Sequence, residues 1–65
     1  MKLIMKTEFD NLRLNDEHSY EADKNTHKQV VKTYSKGVLI AKMIKLKKSI
    51  RYFGVNDYEQ YLTPE

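Results

Sequence analysis

The chain is expected to fold as a small α+β single domain: a helix, then an antiparallel β-hairpin, then a short C-terminal helix, with an N-terminal strand ahead of them. Three features carry that expectation. Thr26-His27-Lys28-Gln29 has the pattern of a capping box at a helix start. Val38 to Leu46 is the most apolar run and alternates along a strand period. Asn56 stands where it caps a last helix, with Asp57 and Glu59 at the positive end of its dipole.

Size limits the core. A chain of 65 residues buries only about 60% of the surface its unfolded form exposes. With no Cys it has neither a disulfide nor a thiolate metal cluster, so homodimerisation is one remaining route to extra stability. Apolar residues make up 40% of the chain and charged residues 32%, close to globular composition. The lack of Cys fits a reducing cytoplasm. Met1 to Lys6 is shorter than the roughly 7 to 15 residues of a signal-peptide core, and no stretch approaches the ~20 residues of a membrane span. A cytoplasmic protein with no membrane partner is the expectation.

Taken in order, Met1 to Lys6 alternates as a strand, Asp10-Asn11 as a turn and Leu12-Arg13-Leu14 as a brief return, an edge hairpin. Residues 15–25 are polar and without period, the pattern of a loop. Residues 1–25 are therefore expected to be a strand and acidic arm, partly flexible, and residues 26–65 a basic α+β module. Beyond Thr26, the residues Val30, Val31 and Tyr34 fall on one side of a helical period, Lys28, Lys32 and Lys36 on the other, and Gly37 suits a left-handed cap. The competing pattern is a strand from Gln29 to Tyr34 turning through Ser35-Lys36-Gly37, favoured by Val30, Val31 and Thr33. The cap, the lysine spacing and the glycine favour the helix.

Val38, Ile40, Ile44 and Leu46 then form one apolar side of a strand, interrupted only by Lys42. Lys47-Lys48-Ser49 makes the turn. Ile50 to Val55 returns, with Gly54 as a bulge position. A short helix from Asp57 to Leu62 ends before Pro64.

Charge is segregated along this order. Residues 1–23 sum to −3, Lys24 to Asn56 hold nine basic residues and no Asp or Glu, and the tail with Asp57, Glu59 and Glu65 sums to −3. A block of one sign makes a local field that the net +3 hides.

Catalysis and metal binding find little support in the residue types. His18 and His27 lack the spacing that puts two ligands on one helical face, and His18 with Glu17 and Glu21 is better read as solvated. Ser19, Ser35 and Ser49 lack a nucleophile-elbow context, and two glycines build no phosphate-cradling loop. No catalytic residue, metal or cofactor is assigned.

The basic block points instead to a small non-enzymatic nucleic-acid-binding protein. Lys28, Lys32, Lys36, Lys45, Lys47, Lys48 and Arg51 are the candidate phosphate contacts. Tyr34, Tyr52 and Phe53 are candidates for stacking on bases. A lysine-dominated surface positions phosphates rather than reading base edges, so binding should follow the backbone and weaken with salt. The alternative is a protein-binding inhibitor or accessory factor, of the kind made by phages and mobile elements, that occludes a partner through apolar, tyrosine or strand-edge surface.

The order of strand, Lys-rich turn, Ile50-Arg51-Tyr52-Phe53-Gly54-Val55 and a helix opening at Asn56 is similar to the end of the three-stranded-sheet-plus-helix DNA-binding modules of phage-type integrases. That resemblance implies DNA as the ligand. It carries no diagnostic residue, and the last helix is shorter than the pattern.

Overall fold

The computed structural model describes residues 1–63. Its elements are β1 (Lys2–Leu3), α1 (Lys6–Leu14), β2 (His18–Lys24), β3 (Lys28–Ser35), β4 (Val38–Leu46), β5 (Ile50–Gly54) and a 3-10 turn over Tyr58–Tyr61. The strands form one five-stranded sheet in the order β1-β5-β4-β3-β2, antiparallel throughout. β2 to β5 is a continuous meander, and α1 carries the chain from the β1 edge to the β2 edge.

Helix α1 covers one face of the sheet, here called the inner face. Phe9 and Leu12, one turn apart on α1, meet Val31, Ile40, Ala41 and Tyr58 in the core. Strand alternation would send Ile40 and Ala41 to opposite faces. A β-bulge on β4 opposite Thr33/Tyr34 instead lets both be fully buried, because the extra residue breaks the alternation.

The C-terminal segment is tied back onto α1. Thr63 N–H donates to Asn11 Oδ1 at 2.8 Å, Asn11 Nδ2 donates to the Thr63 carbonyl at 3.2 Å, and Asn15 Nδ2 donates to Thr63 Oγ1 at 3.0 Å. Tyr58 O–H donates to Glu8 Oε2 at 2.5 Å, and Glu8 Oε1 accepts the Met5 N–H at 3.0 Å. The bond from Tyr58, with the amide behind it, holds the Glu8 carboxyl below its ordinary value, and Glu8 in turn pushes the Tyr58 phenol up to about 12.

The architecture is α+β, but not in the expected order. The helix expected over residues 26–36 is strand β3. Thr26 makes no such cap; the preceding residue does the bonding: Asn25 Oδ1 accepts from the His27 and Lys28 amides at 2.9 Å, while Asn25 N–H donates to the Lys28 carbonyl at 2.9 Å. Those bonds close the β2–β3 turn, so Thr26 opens no helix. Gly37 follows Lys36 with φ of 81° and 52° respectively. Two positive φ values between the paired Ser35 and Val38 mark a tight primed hairpin turn.

Helix α1 lies where an edge hairpin is expected, and it replaces the turn at Asp10-Asn11 and the strand at Leu12 to Leu14. Of the strand expected from Met1 to Lys6, only Lys2–Leu3 pairs, with β5. Residues 18–24 of the expected loop form β2. β4 and the turn through Lys47-Lys48 fall where expected, and β5 ends at Gly54. The last helix shortens to a 3-10 turn, and Pro64 lies outside the described residues.

Candidate functional site

Strand alternation divides the side chains of the sheet between two environments. Val31, Thr33 and Ala41 are buried under α1, so Val30, Lys32, Tyr34 and Lys42 beside them point to the outer face, while Ile40, the bulged residue, stays in the core. Cross-strand register then places Glu21, Lys32, Lys42, Phe53 and Leu3 in one row across all five strands, from β2 to β1. The next row toward the β4–β5 turn holds Asp23, Val30, Ile44 and Arg51. Lys28 pairs with Leu46 beyond it, and Ser19, Tyr34 and Leu39 lie on the other side. Among the described residues no helix covers this face.

Val30, Tyr34, Leu39, Ile44 and Phe53 are half-buried, yet none packs on the core. They lie on the outer face with part of each side chain accessible. Around them stand Lys28, Lys32, Lys42 and Arg51. A depression of about 430 Å³ is lined by Lys24, Lys28, Lys32, Lys42, Val30 and Ile44 together with Asp23.

Among the described residues the ion pairs are Lys2–Glu59 at 3.9 Å and Lys6–Asp10 at 3.1 Å, both away from this face. Among the described residues the outer-face cations therefore form no ion pair, although Glu21 stands opposite Lys32 across β2 and β3. Lys32 and Lys42 are direct cross-strand partners, an arrangement of like charges that weakens a sheet and that a bound anion would relieve. Lys42 Nζ sits 5.8 Å from the centroid of the Phe53 ring, a cation–π contact that leaves its charge available.

The residues expected to contact phosphate divide by position. Lys28, Lys32 and Arg51 share the outer face. Lys45, Lys47 and Lys48 are exposed at or beside the β4–β5 turn, close to the Lys28 end of the sheet. Lys36 is set apart in the β3–β4 turn, at the opposite end of the hairpin, beside a groove lined also by Asp16 and Glu17. Of the stacking candidates, Tyr34 is outward, but Tyr52 is a correction: its ring lies 5.4 Å from that of Phe9 and packs against the core. Phe53, one residue on, takes the outward position.

Lys42 was not singled out from the sequence, although the signal was there. It is the lone charge on an otherwise apolar strand side, which a sheet face open to solvent tolerates. His18 is likewise not a loop residue: it lies on β2, half-buried, with Nδ1–H donating to the Leu12 carbonyl at 2.8 Å.

No protein-family model, curated protein sequence or solved structure matches the chain. The five-stranded sheet and the 3-10 turn after β5 also differ from the three-stranded-sheet-plus-helix pattern of the integrase modules.

Proposed function

We propose that this protein binds nucleic acid, without catalysis, through the outer face of its sheet. Lys28, Lys32, Lys42 and Arg51 make the phosphate contacts, and Lys45, Lys47 and Lys48 extend the positive field past the β4–β5 turn. One observation supports this above the others: these cations lie together on one face of the sheet, and among the described residues none of them forms an ion pair. Each phosphate contact releases condensed counterions, so the complex weakens as salt rises.

An NMR titration of the labelled protein with a short oligonucleotide tests the assignment of the face. Amide shifts concentrated at Lys28, Lys32, Lys42, Ile44 and Phe53 are expected; shifts concentrated on α1, or none, contradict it.

The second reading, an inhibitor or accessory factor that binds a protein, draws on the edge of β2, whose outward backbone groups have no partner strand among the described residues. Strand addition there depends on backbone hydrogen bonds and tolerates salt far better, which separates the two readings.

A further inference from the structure

Resting on the nucleic-acid reading, we infer that the outer face takes single-stranded rather than duplex nucleic acid, with separate bases seated on Phe53 and Tyr34 and the linking phosphates on Lys32 and Lys42. The outer face makes two demands of any occupant. Its unpaired cations call for negative charge, and its half-buried, uncovered apolar side chains call for flat apolar surface. A second copy of this chain stacked face to face supplies the apolar surface but sets Lys32 and Lys42 against another pair of lysines. A duplex supplies the charge but keeps its bases inside the stack, leaving Phe53 and Tyr34 wet. A single strand supplies both, since every base has a π-face and every linkage a phosphate.

The spacing of the two rings agrees. Phe53 shares a row with Lys42 and Lys32, and Tyr34 lies two residues beyond Lys32 on β3. The rings are thus two strand spacings apart and offset by one residue pair, roughly 12 Å. Stacked neighbours rise only about 3.4 Å per base, so the two bases are splayed apart and the backbone between them crosses the lysine pair. A splayed strand is open to a single strand and closed to a paired one. On binding, the base takes the position over Phe53 that the Lys42 ammonium occupies, and the ammonium moves to phosphate.

The test is fluorescence anisotropy at low salt with one oligonucleotide presented single-stranded and as its own duplex. The wild-type protein is compared with Phe53→Leu, Phe53→Tyr and Tyr34→Leu, each checked for folding by circular dichroism. Tighter binding of the single strand is expected, falling about tenfold in either Leu variant, with Phe53→Tyr retaining it and the weaker duplex binding unchanged. Equal affinity for both forms, or Leu variants that bind the single strand like wild type, overturns the inference while leaving the nucleic-acid reading intact. Failure to bind either form overturns both.

Discussion

Thr33 is fully buried, and its hydroxyl has no hydrogen-bond partner. An unmet buried hydroxyl costs more than it contributes, whereas valine fills nearly the same volume and suits the strand. Thr33→Val should raise stability by about 1 kcal/mol in urea unfolding. Gly54 answers to the opposite constraint: a Cβ there would come 3.0 Å from Tyr58 Cγ and 3.1 Å from Ile4 Cγ2. The ring root of Tyr58 is tied down by its bond to Glu8, so it yields little. Gly54→Ala should destabilise by about 1 kcal/mol, the strain exceeding the gain from a stiffer unfolded chain. Tyr58 and Glu8 also give the stability a pH signature. The folded Glu8 carboxyl lies below its ordinary 4.5, so its contribution is present above that value and is lost as pH falls through the lowered one. The folded Tyr58 phenol lies above its ordinary 10.0, so its contribution is present below pH 10.0 and is lost as pH rises toward about 12. Thermal melts of Tyr58→Phe should show a lower Tm at neutral pH and a shallower loss of stability on acidification than wild type; parallel acid limbs would rule the pair out as the cause.

The β3–β4 hairpin turns on Lys36 and Gly37, and a lysine at φ 52° carries a Cβ penalty that asparagine bears better. Lys36→Asn should therefore stabilise by about 0.5–1 kcal/mol, visible as a raised urea midpoint, and should leave oligonucleotide binding nearly unchanged because this turn is far from the outer-face cluster. Reduced binding in this variant would show that the cluster has been drawn too small. This hairpin also explains why the sequence misled at β3. Lys28 and Lys32 are four apart, which puts them on one side in a helix and equally in a strand. Gly37 supplies positive φ to a helix cap and to a primed turn alike, and a polar stretch such as Asn25-Thr26 suits a turn as well as a helix start. Each local signal was present and two-valued, and pairing with β4 decides among them. β4 and β5 were legible because alternation and β-branched or aromatic content agree there. β2 was not, since an edge strand with almost every side chain exposed shows no apolar period. α1 was not, since only Phe9 and Leu12 mark its buried side. The grouping of Lys42 and Phe53 with Lys28, Lys32 and Arg51 needs the register between strands, which no single stretch of sequence contains.

The described molecule is a sheet with its helix and C-terminal segment on one side and Lys28, Lys32, Lys42 and Arg51 on the other. Two residues of the N-terminal acidic stretch, Glu21 and Asp23, lie on the edge strand beside Lys32 and Val30, where they bound the positive face. Glu21→Gln with Asp23→Asn should tighten oligonucleotide binding several-fold at low salt by removing repulsion at the rim. Binding of a labelled oligonucleotide is best followed at about 50 and about 200 mM salt, for wild type and for a Lys28→Gln, Lys32→Gln, Lys42→Gln variant shown to be folded. Four phosphate contacts predict a roughly 50- to 150-fold loss for wild type between the two salts, and near-complete loss for the variant at the lower salt. No binding by wild type at the lower salt, or equal binding by the variant, would contradict the outer sheet face as the working surface.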